Sequence, residues 1–370
     1  MKKNRWIVLL FVLLFSIISC YFLFFNHKEE KIKIGFVGAL TGKYSVLGNA
    51  MINGVILAFE EIDYTINGKK IELLFKDDKQ DKILNEKIVQ EYINNDVKIV
   101  IGNVTSNMSK ISMSIINKHK DMFMISASSA SSEFTGKDDQ FFRVHVANNI
   151  QRFDTFTKYI LDNGYKKVYG IYDPFNEAYA KDYLINFEKS LVLNGGNPFI
   201  KYAKTNQNLD YLVEDIKKVN PDLILICANS VDAARVIQYA RLKGLKTQFA
   251  SSEWARTPSF LENSGKSSEG VIFNIDFDEH SINPKFQKFI DNYTKKYNVR
   301  PSMFASKAYE LSQVLIEMLN VGSKVEIKQN VLKRKEFAGL QDKIVFDQYG
   351  DVIRDFYTFK VIDGKFVRVK

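Results

Sequence analysis

Two short segments of the chain are rich in hydroxyl side chains, and each directly follows an apolar run. Residues 102–107 read Gly-Asn-Val-Thr-Ser-Asn after a run that ends at Ile101, and residues 126–132 contain five serines after a run that ends at Ile125. Both segments lead from a predicted strand into a helix. Because free N–H groups at a helix start attract anions, the two segments predict a binding site for a carboxylate. Serine and asparagine are also common helix caps, so capping is an alternative for any single one of them.

The sequence carries none of the common catalytic or phosphate-binding motifs. Residues 38–43, Gly-Ala-Leu-Thr-Gly-Lys, are not a P-loop, because only three residues separate the glycines and Tyr44 follows the lysine. Gly-x-Gly-x-x-Gly, Gly-x-Ser-x-Gly and His-Glu-x-x-His do not occur, and the four histidines lie far apart. We therefore expect that the chain is not an enzyme, has no catalytic residue, uses no cofactor and binds no metal.

Positive charge is spread too thinly to indicate a nucleic-acid partner. The formal net charge is +9, and Lys2, Lys3 and Arg5 supply three of these charges. Elsewhere lysines are mixed with Asp and Glu on predicted helix faces, which is typical of a solvated surface. No basic stripe interleaved with aromatics and no zinc-finger or RNA-binding motif occurs. We expect no nucleic acid among the partners.

The N-terminus has the features of an export signal. Its positively charged start precedes an uncharged run at residues 7–25, the order found in exported proteins. Ile-Ile-Ser-Cys at 17–20 resembles a bacterial lipobox, in which Cys20 is lipidated. The run continues past Cys20 and approaches the roughly 20 residues that span a bilayer, so residues 1–27 are either a signal and lipoprotein segment or a retained membrane anchor. Because the positive end stays inside, both alternatives place the protein on the outer face of the cytoplasmic membrane or in the periplasm, tethered by lipidated Cys20 or by an uncleaved N-terminal helix.

Apolar runs alternate with longer amphipathic segments through most of the chain. Strands are predicted at 32–37, 71–75, 98–101, 122–125, 167–172, 199–203, 223–226, 248–250 and 271–273, with helices between them. Helices at 284–297 and 302–320 and strands at 343–346, 356–361 and 366–369 follow. This alternation predicts an α/β fold with doubly wound parallel sheets. A chain of 370 residues is long enough for two such lobes.

The chain from residue 31 to residue 370 resembles the type I periplasmic binding proteins of the branched-chain amino-acid family. The resemblance rests on the order and spacing of five segments, which are Ile-Gly-Phe-Val-Gly-Ala-Leu-Thr-Gly at 34–42, Asp77-Asp78, Ile101-Gly102, Ile125-Ser126 and Gly-Leu-Lys-Thr-Gln-Phe at 244–249. It implies two parallel-sheet lobes joined by multiple hinge crossings. Lobe 1 would comprise 31–148 plus 278–340, and lobe 2 would comprise 149–277 plus 341–370.

The resemblance also implies which residues of lobe 1 bind a ligand. In the family, a serine after the third strand and groups after the fourth strand hold an amino acid's carboxylate. These positions correspond to Ser106 and to Ser128, Ser129 and Ala130. The family often has a threonine at the position of Ala130. Either a neighbouring serine, Ser129 or Ser131, supplies the missing hydroxyl group, or the ligand's head group differs.

For lobe 2, the resemblance implies a tyrosine at Tyr179 and an acidic residue for the ligand's ammonium group at Glu253. A carboxylate just beyond a strand end can pair with a cation through charge-assisted hydrogen bonds, whereas position alone would also suit a solvated loop glutamate. Two family aromatics are replaced by Leu47 and Asn229. Both changes alter the pocket for the ligand's side chain, so branched-chain specificity does not carry over.

These features predict an extracytoplasmic solute-binding protein that closes around a small amino-acid-like ligand and delivers it to an ABC permease. An alternative is a sensory binding protein that presents its closed state to a membrane receptor. A third hypothesis, raised by Ala130, is a surface interaction protein that binds no amino acid.

Overall fold

The computed structural model describes residues 31–322 and 327–370. Residues 1–27, including Cys20, lie outside this part, so the predicted tether stays a prediction. Within the described part, no helix is long and apolar enough to serve as a membrane span.

Lobe 1 is built on a six-stranded sheet. Its strands are β1 (Ile32–Gly38), β2 (Thr65–Ile66), β3 (Lys69–Asp77), β4 (Ile99–Gly102), β5 (Phe123–Ser126) and β6 (Phe141–Arg143). The connecting helices are α1 (Ser45–Glu60), α2 (Lys82–Asn94) and α3 (Ser106–Ile116). The strand order is β2-β3-β1-β4-β5-β6, and all neighbours are parallel except the pair of β2 and β3.

Lobe 2 is built on a seven-stranded sheet. Its strands are β7 (Val168–Tyr172), β8 (Lys201–Lys204), β9 (Leu223–Cys227), β10 (Gln248–Ser252), β11 (Ile272–Ile275), β14 (Tyr357–Ile362) and β15 (Lys365–Arg368). The helices are α4 (Ile150–Asp162), α5 (Glu177–Leu193), α6 (Leu209–Val219), α7 (Ser230–Leu242) and α8 (Pro258–Ser264). The order is β15-β14-β11-β10-β9-β7-β8, with antiparallel pairing only where β14 and β15 join the edge. Central β9 is buried along its whole length, as expected for a parallel strand covered on both faces.

After β11 the chain returns to lobe 1. The elements of this return are α9 (Pro284–Tyr297), α10 (Met303–Val321), α11 (Ile327–Arg334), β12 (Glu336–Ala338) and β13 (Lys343–Val345). α10 packs along α1. The helices approach so closely that a Cβ on Gly54 would lie 2.2 Å from the carbonyl oxygen of Ala305.

Within the described residues, the chain passes between the two sheets at three places. We call 144–149 the first crossing, 276–283 the second and 346–356 the third. The α/β class, the two lobes and the multiple crossings predicted from the sequence are thus confirmed.

The sequence pattern did not predict two short helices, α8 and α11. α8 has seven residues, of which only Phe260 and Ser264 are buried, and α11 buries only Ile327 and Val331. Each therefore buries at most two apolar residues, too few for a repeating stripe, so periodicity gives no signal for them.

Candidate ligand-binding site

A small cavity lies between the lobes, where the carboxyl ends of both parallel sheets face each other. Its volume is about 10 Å³, about the space of one water molecule, and it is lined by Leu47, Val104, Ser128, His145, Asn176, Tyr179, Glu253, Trp254 and Phe304. A wider groove of about 240 Å³ lies on lobe 1 between α9 and α10, away from the carboxyl ends of the parallel strands. The position between the lobes makes the smaller cavity the candidate site.

On lobe 1, the predicted serines mainly build the loops beneath the cavity. Ser106 starts α3, and its Oγ accepts hydrogen bonds from the backbone N–H groups of Ala130 (3.2 Å) and Ser131 (3.3 Å). Neither bond uses the hydroxyl proton of Ser106. Ser128 lines the cavity and donates from Oγ to the Val104 carbonyl oxygen at 2.8 Å.

Ser129 and Ala130 lie behind that wall. The Oγ atoms of Ser129 and Ser109 are 2.6 Å apart, and both side chains are fully buried. The Ala130 carbonyl accepts from the N–H of Asn148 in the first crossing at 2.7 Å. These two residues thus fix the loop onto α3 and the crossing, whereas Ser128 is the one of the four predicted residues that lines the cavity.

On lobe 2, Glu253 follows β10 in a short 3-10 turn, and its side chain is buried. Its Oε1 accepts from the Tyr179 hydroxyl at 2.9 Å and faces His145 Nε2 at 3.2 Å. The same oxygen forms an ion pair with the Arg152 guanidinium. Burial alone raises the pKa of Glu253, but the Arg152 charge and the His145 hydrogen bond outweigh it and lower the pKa to about 2. Glu253 is therefore a buried carboxylate and not a solvated loop glutamate.

Sequence reasoning missed Arg152 and His145, which hold that carboxylate. Arg152 lies on α4 and is stacked between aromatic rings, with its guanidinium carbon 5.3 Å from the Tyr183 ring centre. One signal was available, because Arg152 occupies the same helix face as Phe156 and Ile160, at spacings of four residues. A charge on an apolar stripe indicates a buried partner. No comparable signal marks His145, which lies in a crossing.

Aromatic rings form one end of the cavity. Trp254 stacks on Tyr44 with ring centres 5.5 Å apart and meets Tyr179 edge-on at 5.6 Å. Leu47 lines the cavity where the family has an aromatic, and Tyr44, one turn earlier, supplies a ring nearby. Asn229 instead caps α7, since its Oδ1 accepts from the N–H groups of the first helical turn. A ligand contact for Asn229 stays a prediction.

Direct contacts between the lobes show a closed arrangement. The Tyr44 hydroxyl of lobe 1 donates to Asp173 Oδ2 of lobe 2 at 2.9 Å, and Asp173 is fully buried. Lys43 forms ion pairs with Asp173 (3.4 Å) and with Asp232. Asn107 adds a bond from its Nδ2 to the Phe175 carbonyl at 2.9 Å. We call Lys43, Tyr44, Asp173 and Asp232 the interlobe latch.

The described residues include no cluster of three or more His, Cys, Asp or Glu side chains suited to hold a metal ion. Cys227, at the end of β9, is a free and buried thiol. Burial raises its pKa well above the ordinary value, which makes it unreactive.

Comparison with known proteins gives consistent matches over most of the chain. The sequence profile of the family described as periplasmic binding protein matches residues 31–365. The Leu/Ile/Val-binding protein of Escherichia coli (strain K12) is 23% identical over 341 residues, covering 90% of this chain and 92% of that protein. The crystal structure of a leucine binding protein from Thermotoga maritima has a TM-score of 0.83 at 22% identity, covering 92% of this chain and 98% of that one. A solute binding protein of an ABC transporter from R. palustris in complex with benzoate also has a TM-score of 0.83, at 17% identity, covering 92% and 96%.

Proposed function

This chain belongs to the family of periplasmic binding proteins, and from that premise we propose that it captures a small ammonium-bearing solute, an amino acid, between its lobes. The family consists of solute-binding proteins, so the chain is not an enzyme. Identity to relatives of known ligand is low, and solved structures of this fold bind leucine in one case and benzoate in another. The ligand class therefore has to be argued from the cavity.

One observation carries the proposal, the unpaired oxygen of Glu253. Glu253 is the only carboxylate among the residues that line the cavity. Its Oε1 has several partners, whereas its Oε2 is buried and has no hydrogen-bond partner among the described residues. An unsatisfied buried acceptor costs about 1–3 kcal/mol, more when it is charged. A ligand N–H group, above all an ammonium, removes that cost.

Lobe 1 offers the complementary half of the site. There Ser128 lines the cavity next to the start of α3, and we propose this region as the place of a ligand carboxylate. We expect the ligand to bind there first and to meet Glu253 and Tyr179 when the hinge closes. The rings of Tyr44 and Trp254 then shield it from solvent.

Transport is the cellular role that the relatives support best. The benzoate-bound neighbour is named as part of an ABC transporter, so we propose an ABC permease as the partner. The sensory alternative has no observation in its favour. The family is extracytoplasmic, and we propose that this chain is tethered there by lipidated Cys20 or by an uncleaved helix within residues 1–27.

The test is calorimetric titration of the full chain in mild detergent with each amino acid and with the matching acid that lacks the amine. We expect at least one amino acid to bind. Its des-amino counterpart should bind at least about tenfold more weakly, because it leaves Glu253 Oε2 unsatisfied. Equal binding of both members of a pair, or binding of acids only, would refute the ammonium site.

Substitution separates the site from the rest of the surface. Glu253→Gln removes the charge at constant shape and should abolish the preference for the amine. Glu262→Gln, an exposed glutamate on α8, is the matched control and should retain wild-type affinity. Because Glu253→Gln leaves Arg152 without its ion pair, circular dichroism must first show that the variant is folded.

A further inference from the structure

A buried chain of polar contacts connects Glu253 to the crossings between the lobes. Its members are Asp276 at the start of the second crossing, Lys307 on α10, His145 in the first crossing and Glu253 after β10. All four side chains are at most 2% exposed. We call this set the hinge relay. It joins lobe 1, the first and second crossings and lobe 2, and of its members only Glu253 is required by the proposed binding step itself.

The contacts of the hinge relay determine where the histidine proton is. Lys307 Nζ lies 2.6 and 2.5 Å from the two carboxylate oxygens of Asp276, which indicates a charged ammonium. The same Nζ lies 2.5 Å from His145 Nδ1. An ammonium has donors but no acceptor, so Nδ1 must present its lone pair. The proton of the neutral ring is then on Nε2, which donates to Glu253 Oε1 at 3.2 Å.

The opposite tautomer would reverse the effect on Glu253. With the proton on Nδ1, the lone pair of Nε2 would face the carboxylate oxygen and repel it. Oε1 of Glu253 would then lose its hydrogen bond from His145 and keep only Tyr179 and Arg152 as partners. The charge on Lys307 thus decides whether His145 donates to Glu253, a carboxylate that Lys307 itself does not contact.

We propose that Lys307 and His145 are positioning residues of the ligand site, which fix Glu253 so that Oε2 is presented to the ligand, and that they couple this orientation to the hinge. This inference rests on the proposed function, because it assigns the control of the same site. Closure brings Glu253 of lobe 2 onto His145, which Lys307 of lobe 1 already orients.

The groups around the relay define the pH range in which it operates. His145 faces Glu253, Lys307 and Asp276, and burial together with the Lys307 charge lowers its pKa to about 4. Lys307 also faces Arg354 and Glu310, and burial lowers its pKa to about 8 despite the opposing effect of Asp276. Between these values Lys307 is charged and His145 is neutral. Above about pH 8 the tautomer is no longer fixed.

The direct test is the tautomer of His145, read by nitrogen NMR of the full chain labelled in histidine. The chain has only four histidines, and His145→Gln identifies the resonances of interest. We expect a protonated Nε2 and an unprotonated Nδ1 at neutral pH without ligand. A proton on Nδ1, or a ring that exchanges between tautomers, would overturn the proposal, whatever the chain binds.

The binding test uses the ligand amino acid found by calorimetry. His145→Leu should weaken binding at least about tenfold, because Glu253 loses a donor. His145→Gln should recover most of that loss, since its amide oxygen can accept from Lys307 while its NH₂ donates to Glu253. Above pH 8, wild-type affinity should fall more steeply than that of His145→Gln, which has no tautomers. Equal affinity of His145→Leu and wild type would overturn the inference.

Lys307→Met tests whether the Lys307 charge fixes the tautomer of His145. The single variant, however, leaves Asp276 buried without its cation. The double variant Lys307→Met/Asp276→Asn keeps the charge balanced and is the informative form. We expect its affinity to fall at least about tenfold and its His145 proton to redistribute between the ring nitrogens. If no amino acid binds wild type, the proposed function fails, and the NMR result still decides on the relay.

Discussion

The role of a single side chain near the cleft depends on which buried groups it contacts. Glu253 lies just beyond a strand end, where a glutamate is commonly solvated, yet the contacts of Arg152, Tyr179 and His145 make it a buried anion. Ser129 belongs to the same serine-rich segment as Ser128, but it bonds inside the lobe. Residue type and position therefore do not fix a role until the partners are known.

The buried histidine predicts how stability depends on pH. The folded-state pKa of His145 is about 4, below the ordinary value of 6.5. Between these values the unfolded chain binds a proton that the folded chain does not, so the free energy of unfolding falls as the pH is lowered from 6.5 to 4. His145→Gln should remove about 2–3 kcal/mol of that fall, measured by urea unfolding at a series of pH values.

The matched control is the same substitution at exposed His280. His280→Gln should change the free energy of unfolding by less than about 0.5 kcal/mol. If His145→Gln follows the wild-type profile throughout this range, the ring is not buried in its neutral form.

The sequence predicted part of the site and missed the rest for physical reasons. Leu47, Ser128, Tyr179 and Glu253 all line one cavity, since strand ends and family motifs locate them along the chain. Arg152 could not be paired with Glu253 in this way, because the two are a hundred residues apart and ion pairs leave no periodic pattern. The contacts of the latch between the two lobes likewise cannot be predicted from the sequence without the fold.

Regular elements follow the sequence closely wherever a repeating apolar pattern exists. α10 was predicted at 302–320 and is observed at Met303–Val321, because its buried face continues over five turns. The short helices α8 and α11 lack such a face. The apolar pattern does not predict how closely two helices approach each other, because this distance depends on single small residues.

The contact of α1 with α10 gives a test of that closeness. Gly54→Ala places a methyl group 2.2 Å from the Ala305 carbonyl oxygen. This oxygen belongs to the backbone, which cannot move aside as the end of a flexible side chain can. Although alanine favours helices, we expect a net loss of about 1–3 kcal/mol in unfolding free energy by urea denaturation. Val46→Ala, at an exposed position of α1, should change stability by less than about 0.5 kcal/mol. A stabilised Gly54→Ala variant would show that the helices are further apart.

At the scale of the whole molecule, the latch holds the two lobes in the closed arrangement. Within it, Tyr44 and Asp173 are both buried and come from opposite lobes. Opening the cleft must break their hydrogen bond. The latch therefore contributes to affinity without needing to contact the solute.

Tyr44→Phe isolates that contribution, because it keeps the ring on Trp254 and removes only the hydroxyl. A hydrogen bond to a charged group contributes about 1.5–3 kcal/mol, so ligand affinity should fall about tenfold or more, mainly through faster dissociation in stopped-flow experiments. Tyr211→Phe, on the exposed face of α6, is the control. Unchanged dissociation in Tyr44→Phe would mean that the latch is not broken on opening.

The direction of β1 has a practical consequence for handling the protein. The cleft lies at the carboxyl ends of the parallel strands, whereas β1 begins at Ile32 on the opposite edge of its sheet. The point of attachment ahead of Ile32 is therefore at the end of lobe 1 that is remote from the cleft. Immobilised on an electrode or bead through that end, the protein would keep the cleft, and lobe 2 beyond it, away from the support, which is the geometry that a reagentless biosensor needs.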